Sequence, residues 1–244
     1  MEIRPFKEVD LAGGVVIEGF PSVGLVTAIA ATYLISTLRL DQIAAIDSPW
    51  FPPVSMIYAE KPKFPGRIYA SAEHKIAVFL SEFTPSPYLD RFIAKALLAW
   101  AKEQGCSLVI SPCGMPMLEE RSVERSGKLL IHGVGTTDHA RQMLRSSGIH
   151  VLEFGVVPGI SGALLNEGRW NNFDVVALLV EAYQGIPDAK AAAAVVEAID
   201  ELLPQIRLDV SPLYREAERI ESRLKTLRKQ AKPVEVSMPP AVYG

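Results

Sequence analysis

The chain has 244 residues, about half of them apolar (49%), a net charge of −3 at neutral pH and only two cysteines. That length suits one large α/β domain, or one domain with a helical appendage. Nucleic acid is excluded as an expected partner, because the densest basic run, 223–232, is interleaved on a predicted helix with Glu218 and Glu221 and reads as a solvated face. A membrane is excluded too, since apolar runs such as 175–180 are far too short to span a bilayer. Cys106 and Cys113 lie seven residues apart on or near one predicted strand, hence about 20 Å apart and unable to pair. With no signal-like apolar core after Met1-Glu2-Ile3-Arg4-Pro5, the expected compartment is a reducing cytoplasm.

Strands and helices alternate. Val15-Val16-Ile17 has the short apolar run of a buried strand. Gly19-Phe20-Pro21-Ser22 then turns the chain, with Ser22 placed to cap a helix that carries Val26, Ile29, Ala30, Tyr33 and Leu34 at helical spacing. Extended segments follow over 43–46, 54–58, 68–71 and 76–80, and Pro49, Pro52, Pro53, Pro62 and Pro65 mark loops or edges among them. Leu89, Phe92, Ile93, Ala96, Leu97 and Trp100 predict an amphipathic helix that Gly105 ends. Strands are expected at 108–110, 129–131 and 151–152, with a helix over 138–146 capped by Thr137 before the last of them. A helix begins at Ile160, and 175–180 is the last strong strand. Pro187-Asp188 opens a helix in which Ala192, Val195, Val196, Ile199, Leu202 and Leu203 share a face before Pro204 stops it. Over residues 1–208 this alternation predicts an α/β core with a mixed, mostly parallel sheet covered by helices on both sides.

From 209 the pattern changes. Leu213, Ala217, Ile220, Leu224 and Leu227 form a narrow seam at alternating spacings of four and three, on a helix predicted over 209–231. Two readings stand: packing on its own domain, or pairing with other subunits in a homo-oligomer. Residues 232–244 lack periodicity and contain Pro233, Pro239 and Pro240, so they read as a flexible Pro-rich tether reaching about 40 Å. It ends in Val242-Tyr243-Gly244, a greasy contact, an aromatic anchor with a polar tip and a terminal carboxylate, which a pocket on another protein could read.

Catalytic signals are poor. No phosphate-binding loop with Gly-Lys-Ser/Thr occurs, and Gly19 and Gly24 have the wrong spacing for a dinucleotide fingerprint. Amides at that helix start could hold an anion, but tight packing explains the glycines equally. The same holds for the turn read at Gly133-Val134-Gly135-Thr136-Thr137-Asp138. His74, His132, His139 and His150 show no metal-ligand spacing. Cys113 follows a strand and could be a nucleophile, yet no base can be named and a buried free thiol is the commoner case. The expectation is therefore no enzyme, no metal and no cofactor. Glu18, Asp47, Glu82 and Glu181 stand at strand ends, along the edge where open α/β sheets bind ligands, and form a possible ligand cleft.

Gly19-Phe20-Pro21-Ser22-Val23-Gly24-Leu25-Val26, Pro158-Gly159-Ile160-Ser161-Gly162-Ala163-Leu164-Leu165, Glu181-Ala182-Tyr183 and Pro187-Asp188-Ala189-Lys190-Ala191-Ala192 keep an order and spacing that resembles the proteasome assembly chaperone family. That family has archaeal and actinobacterial members and is sometimes labelled ATP-grasp-like. The resemblance implies a three-layer α/β/α fold related to the nucleoside phosphorylases. For the archaeal branch it also implies homo-oligomers that project C-terminal tails, ending hydrophobic-Tyr-any, into pockets between α-subunits of the proteasome ring. Val242, Tyr243 and Gly244 match that ending residue by residue. The expected function is then an ATP-independent chaperone or adaptor of the proteasome core particle. The alternatives are a small-molecule-binding protein or enzyme with a nucleoside-phosphorylase-like cleft, and an oligomeric scaffold without proteasome contact.

Overall fold

The computed structural model describes residues 1–117 and 129–212, with Arg215, Arg219 and Thr226 as isolated positions. In chain order the strands are β1 (Glu2–Pro5), β2 (Val15–Gly19), β3 (Asp41–Asp47), β4 (Met56–Tyr58), β5 (Lys61–Lys63), β6 (Gly66–Ser71), β7 (Ile76–Ser81), β8 (Leu108–Pro116), β9 (Ile131–Gly135), β10 (His150–Val151) and β11 (Asp174–Ala182). The helices are α1 (Val26–Thr37), α2 (Asp90–Glu103), α3 (Asp138–Ser146), α4 (Gly159–Asn171) and α5 (Ala189–Leu202). Nine strands form one sheet in the order β1-β3-β6-β7-β2-β8-β11-β9-β10, and β4 pairs with β5 as a separate hairpin. The central strands β7, β2, β8 and β11 run parallel, while β6, β3 and β1 on one flank and β9 on the other enter antiparallel.

The central strands are the longest apolar runs because both of their faces are covered. Ile17, Val78, Ile110 and Leu178 pack with α1, α3 and α5 on one face. Val16, Ala77, Phe79 and Val109 pack with α2 and α4 on the other. The fold is α/β, a mixed sheet between two helical layers.

Several local expectations change. The strand expected at 129–131 is β9, over 131–135, so Gly133 and Gly135 lie in a strand rather than in a turn. A side chain at Gly133 would meet Leu144, and one at Gly135 would meet the Ala140–Arg141 backbone at 2.7–2.8 Å, so these glycines let α3 lie directly on the strand. Phe92 is 63% exposed, and the buried stripe of α2 is instead Ile93, Ala94, Leu97, Leu98, Trp100 and Ala101. Ser22 caps no helix with its side chain; its hydroxyl accepts the Gly114 N–H at 3.1 Å. Thr137 does cap α3, accepting from the Ala140 N–H at 3.0 Å, and Asp188 caps α5 through the Ala191 N–H at 2.9 Å.

One contact sets how closely α1 approaches the sheet. A Cβ on Gly114 of β8 would run into the Val23 carbonyl oxygen, which is backbone and cannot swing aside. Gly114→Ala should therefore destabilise the protein by about 1–3 kcal/mol, read as a lower urea midpoint at unchanged slope. An unchanged midpoint would show that the two backbones can separate freely.

Candidate functional site

Adjacent parallel strands β2 and β7 send the chain to opposite faces of the sheet, β2 into α1 and β7 into α2. Such a point leaves a crevice beyond the carboxyl ends of the strands, where α/β sheets bind ligands. A cavity of about 200 Å³ occupies it. Phe20, Pro21 and Val23 after β2, Thr84, Pro85 and Pro87 after β7, and Pro158 to Ile160 at the start of α4 form its walls. Glu18, Cys113 and Ser161 form its floor, with Asp90 at the side.

Strand alternation places Glu18 beside Val16 on the α2/α4 face, and Ser111 and Cys113 on the same face of neighbouring β8. The first turn of α4 brings Ser161 onto them. Glu18 is 2% exposed. Its Oε1 accepts the Phe20 N–H at 2.6 Å, and its Oε2 lies 3.0 Å from Ser111 Oγ. Ser111 Oγ lies 2.8 Å from Ser161 Oγ, whose backbone acceptor, the Pro112 carbonyl, is 3.4 Å away. Burial pushes the Glu18 carboxyl up to about 8 against the hydrogen bonds that lower it, and the nearby Asp90 charge pushes the same way. This shift favours the neutral carboxyl at pH 7. In that form its proton can be donated to Ser111, which donates to Ser161, and the Ser161 hydroxyl has the Pro112 carbonyl at 3.4 Å and the Cys113 sulfur as acceptors inside the protein.

The three helix starts around the cavity, those of α1, α2 and α4, have no side-chain cap, whereas α3 and α5 start elsewhere and have one. At the entry to α1, Gly24 (φ 66°) and Leu25 (φ 53°) are both left-handed. For a leucine this costs about 1–2 kcal/mol. Burial pushes the Cys113 thiol up to about 11, which disfavours the thiolate that a nucleophile needs.

The four acidic residues singled out in the sequence share one edge of the sheet but are not brought together. From β3 to β11 is five strand spacings, about 24 Å. Only Glu18 lines the cavity. Asp47 is exposed on β3, its carboxylate accepting the Ser48 N–H at 2.8 Å. Glu82 forms a buried ion pair with Arg67, which also donates to Phe64 O at 2.8 Å and Tyr69 Oη at 3.1 Å. Glu181 lines a separate cavity of about 320 Å³ with Leu152, Val156 and Leu179. Sequence reading missed Ser111 and Ser161. The available signal was a serine inside the apolar run 108–113, on the strand expected beside Glu18. Val242, Tyr243 and Gly244 lie outside the described residues, as do Leu213, Ala217, Ile220, Leu224 and Leu227. Among the described residues no cluster of His, Cys, Asp and Glu could hold a metal, and no helix is long and apolar enough to cross a membrane.

The sequence words singled out above meet at this edge. Gly24 O accepts the Asp188 N–H at 2.8 Å, and the Asp188 carboxylate accepts the Tyr183 N–H at 3.1 Å. Ser22 reaches Gly114, and Ser161 reaches Ser111. Comparison with known proteins accounts for this convergence. The PAC2 family model matches residues 16–228. The chain belongs to the PAC2 family. It is 31% identical to Pyrococcus furiosus PbaA, an archaeal homologue of proteasome-assembly chaperone, with TM-score 0.80 over 94% of this chain and 97% of that one. Pyrococcus furiosus PbaB shares the fold at 24% identity and TM-score 0.74, over 93% of this chain and 98% of that one. An uncharacterized Methanocaldococcus jannaschii protein is 26% identical over 91% of this chain and 89% of its own length. The likeness to PbaA and PbaB runs through the whole PAC2 domain, not through one edge of it.

The buried acid of this PAC2 domain makes stability depend on pH. The unfolded chain gives up the Glu18 proton near the ordinary value of 4.5, while the folded chain holds it to about 8. Raising pH between those values favours unfolding, by about 1.4 kcal/mol per pH unit for one group. Glu18→Gln should remove that slope, so the variant gains on wild type from pH 5.5 to 7.5 in urea unfolding. Parallel pH profiles would show that Glu18 is ionised in the folded protein.

Proposed function

We propose that this protein is a cytoplasmic chaperone or adaptor of the proteasome core particle, working as a homo-oligomer and without ATP. On this reading its C-terminal tails dock into pockets between α-subunits of the proteasome ring, with Val242 and Tyr243 as anchors and the Gly244 carboxylate as the charged tip. The observation that carries it is PAC2 membership, with near full-length similarity to PbaA, combined with a chain that ends hydrophobic-Tyr-any. The seam of Leu213, Ala217, Ile220, Leu224 and Leu227 would gather several tails on one assembly.

The energetics are consistent with such a role. Burying Val242 and most of Tyr243 is worth about 2–4 kcal/mol. A charge-assisted bond from the terminal carboxylate to a lysine adds about 1–3 kcal/mol. Ordering the tail removes much of this gain, so a single tail binds at roughly micromolar to millimolar strength. Several tails whose span fits the pocket spacing raise that by about 10²–10⁴.

Deleting residues 242–244, or making Tyr243→Ala, should abolish co-purification with the proteasome α-ring while circular dichroism and oligomer mass stay unchanged. Undiminished binding by either variant would overturn tail docking.

A further inference from the structure

The tail leaves the cavity between β2 and β7 without a role, although the fold builds it carefully. We infer that this cavity is a binding site for a small uncharged molecule carrying a carbonyl beside an N–H, an amide or lactam, received by the Ser161 hydroxyl at the end of the Glu18–Ser111–Ser161 chain. The inference stands apart from the proposed function and does not need it.

The chemistry of the walls selects the class. The Ser161 hydroxyl lines the cavity and holds only a long bond to the Pro112 carbonyl, 3.4 Å, and a weak sulfur acceptor in Cys113, both of which an acceptor oxygen in the cavity can replace. Among the described residues no Lys, Arg or His lines the space. An anion would therefore be buried without a counter-charge, and would face Asp90. A cation would find one carboxylate, Asp90, but would face the positive ends of three helices. An uncharged carbonyl avoids both penalties, and its neighbouring N–H has an acceptor in the Asp90 carboxylate at the side of the cavity. Phe20, Pro85 and Pro158 offer apolar walls to the faces of a planar group. A crevice of about 200 Å³ suits a ligand the size of a small ring.

The titratable groups facing Glu18 are Asp90 from α2 and Cys113 from β8; α4 contributes the uncharged Ser161. Ionising Glu18 turns Ser111 toward the carboxylate, and Ser161 then donates inward to Ser111 instead of outward to the ligand. Ligand affinity should therefore fall as pH rises through about 8.

The test uses the full chain, with 2-pyridone as the lactam probe and acetate as the anion control, followed by saturation-transfer NMR and titration. Expected are saturable 2-pyridone binding at pH 7 that weakens several-fold by pH 9, and no saturable acetate binding. Ser161→Ala should weaken 2-pyridone about tenfold, the worth of one hydrogen bond. Glu18→Gln should flatten the pH dependence of 2-pyridone binding, whatever its affinity at pH 7. Thr84→Trp, an exposed change at the mouth that leaves the hydroxyl chain intact, should block the probe even if Ser161→Ala fails to fold. Protein lacking residues 242–244 should bind 2-pyridone like the full chain, which separates this result from the fate of tail docking. No saturable 2-pyridone binding, preference for acetate, or equal binding by the Thr84→Trp variant would overturn the inference.

Discussion

Two neighbouring parallel strands that feed helices on opposite faces leave a gap between their ends, and neither helical layer can close it. In this protein that gap lies between β2 and β7, and much of the local architecture answers to it. Glu18 sits at its base, 2% exposed, and burial pushes its carboxyl toward the neutral form. Ser111 and Ser161 hydrogen-bond in series to it, tying β8 and α4 to β2. A chain of this kind is favourable only while every member is satisfied. Its position specifies which face of β8 turns toward α4.

Backbone proximity is the second constraint. Gly19 lies where a side chain would strike the Phe79 carbonyl and Ala31, Gly114 where it would strike Val23, and Gly162 where it would strike the Val157 carbonyl. These glycines come from segments far apart in sequence that crowd one edge of the sheet. Asp188 closes the arrangement from the other side, bonded to Gly24, Tyr183 and Ala191 at once. The PAC2 family is thus legible in its turns because that is where the backbone has least freedom. Such positions identify a fold, and a fold alone does not name an activity.

The proposed docking function and the cavity occupy separate parts of the chain. One is carried by the terminal residues 242–244 and the other by the rigid edge of the sheet. A small-molecule site on the body of a chaperone would give the assembly a way to respond to its surroundings. Coupling would require the ligand to favour one arrangement of the body over another, and α1 and α4, which both start at the cavity, are the elements positioned to transmit such a preference.

Apolar runs and helical spacing alone determined the central strands and α2 and α5, because burial on two faces or on one stripe writes itself into residue order. The Thr137 and Asp188 caps were equally legible, being local chemistry between residues three apart. Tertiary structure alone decided that Gly133 and Gly135 belong to a strand, since their reason is the nearness of α3, and that Phe92 faces outward. It alone separated the four acids, giving Glu18 a cavity, Glu82 an arginine from a neighbouring region of the sheet, Asp47 solvent and Glu181 a different hollow. Ser111 and Ser161 are 50 residues apart, and no local pattern can announce a partnership that exists only because two strands and a helix end at the same place.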